Sequence, residues 1–111
     1  MVIGRSSPFG GRTRTEALLS LQLMDESYAR ELARLLNRPV SGVRKALQSL
    51  EGDGLVASRA EGRTRLFRLA PRYFALAELR SYLERLTEPE DDLRERVGRQ
   101  RRRARRTGKR L

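Results

Sequence analysis

Apolar residues in the first part of the chain recur every three or four positions, which is the spacing of one helix face. A first helix is predicted from Thr13 to Met24, and Thr13 and Glu16 have the N-cap and N3 spacing of a capping box. A second helix is predicted over 28–36, with Ser27 as its N-cap. Two amphipathic helices therefore open the folded part of the chain.

The next segment has the order turn, helix and hairpin. Asn37-Arg38-Pro39 forms the turn, because Asn tolerates the left-handed conformation at a helix end and Pro cannot continue a helix. A third helix is predicted over 40–51. Two strands are predicted over 55–59 and 63–69, and a tight turn at 60–62 joins them.

A narrow stripe of leucines follows the hairpin. A fourth helix is predicted from Pro71, since proline is favoured at a first helical position, to about Leu86. Its leucines recur at alternating steps of three and four, as in a coiled-coil seam, and they are Leu76, Leu79, Leu83 and Leu86. We expect the seam to form a dimer interface, so that Asp at both Leu79 and Leu83 leaves a folded monomer. The alternative is that the seam packs on its own domain.

The end of the chain is strongly basic. Thr87-Glu-Pro-Glu90 resembles a capping box and predicts a fifth helix through Val97, whereas residues 98–111 lack an apolar face and are predicted to be irregular. The whole chain carries a net charge of +11, and residues 94–111 hold ten Arg or Lys and one acid. A nearly neutral body with a basic tail is typical of a protein that binds a polyanion.

Composition excludes several kinds of site. The chain has neither cysteine nor histidine, which excludes disulfides and thiolate or imidazole metal sites, and no cofactor is expected. The commonest nucleophiles and general bases are also missing, so an enzyme is not expected. The sequence has no apolar run of membrane-spanning length and no signal-peptide core. These features predict a cytoplasmic, nucleoid-associated location without membrane contact.

A family resemblance is carried by two stretches, YARELARLL at 28–36 and VSGVRKALQSLEGDGLV at 40–56. Together with the order helix, helix, turn, helix and hairpin, they resemble the ArsR-like and MarR-like winged helix-turn-helix regulators. The family pattern is an "ELA" helix, a recognition helix with spaced Val and Leu, and a "GLV" entry to the wing. Residues 63–69 are similar to the returning wing strand, and the resemblance covers about 13–70.

The resemblance implies an α+β, mostly helical fold with four segments. Residues 1–12 are an irregular lead-in, and 13–70 form the winged helix-turn-helix DNA-binding domain. Residues 71–97 form a helical dimerisation segment, and 98–111 form the basic tail. One departure from the family pattern is Gly42, which stands where a Thr or Ser is usual on the recognition helix.

In such regulators the third helix lies in the major groove, with an apolar face toward its own domain and a polar face toward the DNA. The predicted DNA-facing residues are Ser41, Arg44, Lys45 and Gln48. Arg44 is the candidate for a bidentate contact with guanine, Gln48 for adenine, and Ser41 for a phosphate or base edge. The competing interpretation is that these side chains form the solvated face of a helix.

Arginines are also concentrated in the hairpin and in the tail. The resemblance implies that the wing reaches a flanking minor groove or phosphates, through Arg59, Arg63 and Arg65. The alternative is that charges on an edge strand prevent it from pairing with other chains. The candidates for non-specific DNA contact in the tail are Arg101, Arg102, Arg103, Arg105 and Arg106.

The sequence thus predicts a homodimeric DNA-binding repressor or autoregulator that reads a pseudo-palindromic operator in double-stranded DNA. Two alternatives remain. One is a non-specific architectural DNA-binding protein. The other is a DNA-binding adaptor or antitoxin-like subunit, whose tail contacts an acidic protein partner. RNA is a further alternative ligand for the tail.

Overall fold

A computed structural model of the chain describes the backbone of residues 8–108 and the side chains of residues 8–102. Its elements, in chain order, are α1 (Arg12–Met24), β1 (Glu26–Tyr28), α2 (Ala29–Leu36), α3 (Val40–Gly52), β2 (Val56–Glu61), β3 (Thr64–Leu69), α4 (Leu76–Thr87) and α5 (Asp91–Gly108). The strands form an antiparallel sheet in the order β1-β3-β2. The mostly helical α+β class and the order helix, helix, turn, helix and hairpin are as predicted.

The sequence pattern does not predict β1, which pairs with β3 and places Ser27 opposite Phe67. The prediction of Ser27 as the N-cap of α2 is therefore wrong, and Tyr28 occupies that position without a side-chain cap. Ser27 is buried in the strand, and its hydroxyl donates to the Glu31 carboxylate at 2.6 Å. Three residues are too few for an alternating pattern to show, so only the pairing with β3 reveals this strand.

The wing is a hairpin with a two-residue loop. Glu61 pairs with Thr64, which leaves Gly62 and Arg63 as the loop, and the predicted turn at 60–62 is therefore misplaced. Gly62 has a φ of 64°, whereas Arg63 is not among the described residues with positive φ. Positive φ at the first loop position alone is the pattern of a type II′ turn, which favours glycine there. Arg63 consequently lies at the tip of the wing.

Helix α1 is the centre of the molecule. Seven consecutive residues, Thr15 to Leu21, are buried, so neighbouring elements cover every side of this part of the helix. The predicted capping box is wrong, because the N-cap of α1 is Gly11 and Thr13 lies inside the helix. The Glu16 side chain forms an ion pair with Arg38, in the turn between α2 and α3, instead of capping α1.

That ion pair joins α1 to the turn. The Arg38 guanidinium donates to both carboxylate oxygens of Glu16, at 2.6 and 3.2 Å, and the Glu16 side chain is almost fully buried. The hydrogen bond to Glu16 raises the pKa of Arg38 above its ordinary value, with burial opposing it. The turn itself is as predicted, with Asn37 in the left-handed conformation at the end of α2.

We expect Arg38→Met to lower the free energy of unfolding by about 3 kcal/mol, because it leaves the buried Glu16 carboxylate without its partner. Urea unfolding followed by circular dichroism measures this loss. The matched control is the double variant Glu16→Leu, Arg38→Met, which removes both charges and should recover most of the stability. A single variant as stable as the wild type contradicts the prediction.

Helix α4 begins at Leu76, five residues after the predicted start at Pro71, and packs on α1. Its leucine seam is covered within the single chain, which is the alternative that the sequence left open. Leu79 and Leu83 are 7% and 0% exposed and belong to the same hydrophobic cluster as the residues of α1. Leu76 and Leu86 are partly buried and pack against that cluster. The seam therefore contributes to the core of its own chain.

Helix α5 is docked on the body and is longer than predicted. Leu93 and Val97 are buried in the common core, and the helix continues to Gly108 where the tail was predicted to be irregular. Ion pairs one turn apart, such as Arg96 with Asp92, support it locally. The predicted capping box before α5 is not formed, since Thr87 ends α4 and its hydroxyl donates to the Glu84 carbonyl.

Candidate nucleic-acid interface

Helix α3 separates apolar from polar residues by face. The inward positions are Val43, Ala46, Leu47 and Leu50, and all four are buried. The predicted DNA-facing residues Ser41, Arg44, Lys45 and Gln48 are all exposed. The four apolar residues hold the helix on the domain, so its polar face is free to meet a ligand.

Contacts to α1 hold α3 at both ends. At its start the ion pair of Arg38 with Glu16 fixes the preceding turn. At its end Arg14 of α1 donates to the Ser49 hydroxyl at 2.6 Å and to the Asp53 carboxylate at 2.7 Å. A helix that must present a few side chains to base edges gains from such anchoring, because misplacement weakens each directed contact.

Strand alternation sorts the wing arginines into two groups. Successive side chains point to opposite faces of a strand, so Arg65 lies on the same face of β3 as the buried Phe67. Arg59 of β2 pairs with Leu66 in register and lies on the other face. Arg65 is therefore directed toward the helices, Arg59 is directed away from them, and Arg63 lies at the tip.

The face of α3 and the wing meet in a groove of about 310 Å³. Its lining residues are Ala29, Arg30, Arg44, Gln48, Arg63, Thr64, Arg65 and Phe67. Two predicted residues of the helix and two of the wing thus meet in one concave surface. Ser41, Lys45 and Arg59 are not among its lining residues.

Arg30 is a groove residue that the sequence analysis missed. It is exposed on the first turn of α2 and lines the groove beside Arg44. The available signal was its position on the polar face of α2, since helical spacing separates it from the apolar Leu32 and Leu36. That signal places Arg30 in solvent, but its place in the same groove as α3 depends on how the two helices cross.

The cations that line the groove lack acidic partners. Within residues 8–102, four arginines form no ion pair and line the groove, namely Arg30, Arg44, Arg63 and Arg65. Elsewhere Arg14, Arg38 and Arg59 are each paired with a carboxylate. A concave surface lined by four unpaired guanidinium groups attracts a polyanion.

Arg59 is bound to the sheet rather than presented to the groove. It is 3.0 Å from the Glu26 carboxylate and 3.5 Å from that of Glu61. The hydrogen bond to Glu26 raises the pKa of Arg59, and the charge of the same carboxylate adds to the effect. Of the three wing candidates, Arg59 is the one whose guanidinium is paired with carboxylates.

A short hydrogen-bond chain joins the wing to α3. Arg65 donates to the Ser58 hydroxyl at 3.0 Å, and Ser58 donates to the Glu51 carboxylate at 2.8 Å. The chain links β3 through β2 to the last turn of α3. It fixes the direction of the Arg65 side chain without taking up its charge.

The two tail candidates with described side chains, Arg101 and Arg102, do not line this groove. Arg101 donates to the Leu23 carbonyl at 2.6 Å and is 3.6 Å from the Asp25 carboxylate, so it ties α5 to the end of α1. Arg102 is exposed. The side chains of Arg103, Arg105 and Arg106 lie outside the described residues.

Two further properties concern the described part of the chain. Residues 8–102 hold no group of three or more carboxylates placed to bind a metal ion. None of the described helices combines the length and the apolar character that a membrane crossing requires.

Comparison with known proteins identifies relatives by fold. Neither a protein-family model nor a curated protein sequence matches the chain. Solved structures do match, and HlyU from Vibrio cholerae in its reduced form is 27% identical, with 69% of this chain and 75% of HlyU covered and a TM-score of 0.57.

Two other structural neighbours are more distant in sequence. The adhesin competence repressor AdcR from Streptococcus pyogenes is 20% identical, with 81% of this chain and 66% of AdcR covered and a TM-score of 0.58. A variant of ZitR from Lactococcus lactis in complex with DNA is 19% identical, with 89% and 77% covered and a TM-score of 0.56. These neighbours are winged helix transcriptional regulators, a class of proteins that are not enzymes. The predicted fold is confirmed.

Proposed function

We propose that this chain is a DNA-binding transcriptional regulator that lays α3 in the major groove and carries its wing to the adjacent backbone. The observation that carries the proposal is the groove between α3 and β3, where four arginines without acidic partners converge. Duplex DNA is a polyanion whose major groove admits an α-helix. The ZitR structure in complex with DNA supports the same ligand for this fold.

The residues of α3 divide between base readout and phosphate contact. Arg44 and Gln48 line the groove, and their side chains suit guanine and adenine respectively, through two hydrogen bonds each. Ser41 and Lys45 are exposed on the same helix but outside the groove, so we assign them to the flanking phosphates. Arg63 and Arg65 extend the contact from the tip and inner face of the wing.

We further propose that the protein acts as a homodimer and represses transcription by occupying a pseudo-palindromic operator. A two-fold protein presents two copies of α3, and these match two half-sites about one helical turn apart. Leu79 and Leu83 are used inside the chain. The dimer surface therefore uses the outer side of α4 and the turn before it. The exposed large apolar residues of the described chain are found there, Phe74 at 92% and Tyr82 at 46%.

Selection from random duplexes tests the function directly. The full-length protein is incubated with a random DNA library, and bound duplexes are recovered and sequenced. A recovered motif with two-fold symmetry supports the regulator. Binding without a motif supports the architectural protein, and absence of binding contradicts both.

A second candidate function, non-specific architectural binding, is favoured by Gly42. This residue is exposed on α3, and a Cβ built there meets nothing within 4 Å. The helix therefore presents bare backbone where a side chain of the regulator pattern would reach a base. Fewer base contacts lower sequence discrimination while phosphate contacts remain.

We expect Arg44→Ala to weaken binding to the selected motif by about 1–3 kcal/mol and to relax the preference at one base position. Arg63→Ala should weaken all sequences about equally, because a phosphate contact carries no sequence information. Titration of each variant against the selected and a scrambled duplex separates the two effects. Arg68→Ala is the matched control, since Arg68 is exposed on the other face of β3 and forms no ion pair among the described residues. Unchanged affinity and preference in Arg44→Ala would show that α3 is not in the major groove.

A further inference from the structure

The outer face of α2 carries a polar stripe that leads away from the α3–β3 groove. Arg30, Arg34 and Asn37 are all exposed and are spaced by four and three residues, so they lie on one side of the helix. At a rise of 1.5 Å per residue, the stripe is about 10 Å long. It begins at the groove and ends where α2 meets α5.

Helix α5 completes a second groove at that end. Arg96 donates to the Leu35 carbonyl at 3.0 Å, and the buried Leu93 and Val97 hold the helix on the core. The space between α2 and α5 is a groove of about 340 Å³, which we call the α2–α5 groove. Its lining residues are Arg34, Leu35, Asn37, Arg96, Arg99 and Gln100.

The two grooves are connected. A third concavity lies between them, and it shares Arg30 with the α3–β3 groove and both Arg34 and Asn37 with the α2–α5 groove. One continuous basic track therefore runs from the wing, along α2, to α5. A ligand that enters the first groove and is long enough to leave it meets this track.

The charges along the track are available to an anion. Arg30 and Arg34 form no ion pair within the described chain. Arg96 and Arg99 are paired with Asp92 at 3.3 Å and Glu95 at 3.8 Å, in surface pairs four residues apart. Such pairs are worth a few tenths of a kcal/mol, so a phosphate can displace them.

We propose that the α2–α5 groove binds the phosphate backbone of the same duplex that α3 reads, beyond the bases that α3 contacts. The proposal rests on the proposed function and extends it, because it makes α5 a fixed part of the DNA-binding surface. The length of the stripe corresponds to about three base-pair steps of 3.4 Å. The groove then adds affinity and register but carries no base readout.

The chemistry of the groove favours a phosphate backbone over exposed bases. Its lining offers guanidinium and amide groups and no aromatic ring. Proteins that bind single-stranded nucleic acid combine a basic groove with aromatic side chains on which bases stack. Continuity with the α3–β3 groove further favours the duplex over a separate acidic protein, because one rigid polyanion covers both grooves.

The test is the double variant Arg34→Gln, Arg99→Gln, titrated with the selected duplex at several salt concentrations. Loss of two phosphate contacts should make the slope of log affinity against log salt shallower by about 1.8, while the preferred sequence stays unchanged. The matched control is Arg68→Gln, Arg94→Gln. Among the described residues Arg68, like Arg34, forms no ion pair, and Arg94, like Arg99, is paired with a carboxylate on α5. Neither Arg68 nor Arg94 lines the track. The control should keep the wild-type slope, and circular dichroism should show that both variants are folded.

The failure of this proposal is distinct from the failure of the proposed function. A wild-type slope in Arg34→Gln, Arg99→Gln, together with a loss of preference in Arg44→Ala, overturns the α2–α5 groove and leaves the regulator intact. An altered motif in the double variant also overturns it, because the groove would then read bases. Weaker binding to a single-stranded RNA probe with unchanged duplex binding overturns it in favour of RNA. If the wild type selects no motif and Arg44→Ala changes nothing, the proposed function itself fails.

Discussion

Replacing Leu79 and Leu83 together by Asp is expected to unfold the protein rather than to leave a folded monomer. Both side chains are buried in the core of a single chain. Truncating one buried leucine costs about 2–5 kcal/mol, and a buried carboxylate without a partner adds to that cost. Two such changes reach the total stability of a typical domain, about 5–15 kcal/mol.

Circular dichroism at 222 nm and urea unfolding measure this outcome. The contrasting variant is Phe74→Ser, Tyr82→Ser, whose native side chains are exposed and whose loss should leave the fold intact. Sedimentation of this second variant tests the dimer, because it removes apolar surface only from the outside. A folded, monomeric Leu79→Asp, Leu83→Asp protein would restore the seam as the dimer interface. An unfolded one together with a folded, monomeric Phe74→Ser, Tyr82→Ser protein would place the interface on the outer side of α4.

The leucine seam illustrates what periodicity determines and what it leaves open. The recurrence of Leu76, Leu79, Leu83 and Leu86 correctly predicts a helix with one apolar face. It contains no information about which surface covers that face. In this chain α1 is buried on all sides along seven residues, and α4 is one of the helices that cover it, so the seam faces its own core.

Local signals predicted the helix-turn-helix best. The bounds of α2 and α3 agree with prediction to within a residue, since Asn37 and Pro39 mark the turn by their backbone preferences alone. Caps were less reliable, because Glu16 has the right spacing for a capping box but is used in a long-range ion pair with Arg38. Helix propensity and capping rules take no account of such partners.

The sequence could predict which helix and which hairpin carry the candidate site, but not which of their residues come together in one groove. The exposed face of α3 follows from helical spacing, and the basic wing follows from composition. To predict the groove one must know that Arg65 shares a face with Phe67 and that Arg30 and Arg44 line the same concave surface. The separation of Arg59 from this group depends on its contact with Glu26 of β1, a strand that the sequence pattern does not show.

The docking of α5 changes the expected role of the basic end of the chain. A tail that is irregular from residue 98 can track DNA in any direction, whereas a helix held by Leu93, Val97 and Arg96 presents its first cations at fixed positions. The charge of residues 94–111 then falls into two parts. Five Arg or Lys up to Arg102 lie on the docked part of the helix, and the other five follow in the sequence, in residues 103–111.

A chain that ends at Arg102 separates these two parts. An end point at Leu93 would remove Val97 and most of α5, so it would test the core as well as the charge. Ending at Arg102 keeps Leu93 and Val97, the buried residues among the described side chains of α5, and removes five positive charges and no negative one. We expect this shortened protein to fold, to keep the oligomeric state of the full chain, and to prefer the same duplex, because Arg44 and Gln48 remain.

Its affinity for random duplex DNA should fall strongly and become less dependent on salt. Each phosphate neutralised contributes about 0.9 to the slope of log affinity against log salt, so five contacts account for a change of up to about 4.5. When the salt is raised from 50 to 200 mM, the affinity of the full-length protein should therefore fall by a factor roughly 500 times larger than the affinity of the shortened protein falls. Titration of both proteins with selected and random duplexes at four salt concentrations measures slope and preference together.

An unchanged slope would show that residues 103–111 do not contact the duplex, and would favour RNA or an acidic protein as their ligand. A lost preference with a folded protein would show instead that these residues read sequence, for which an arginine-rich segment in a narrow minor groove has the right chemistry.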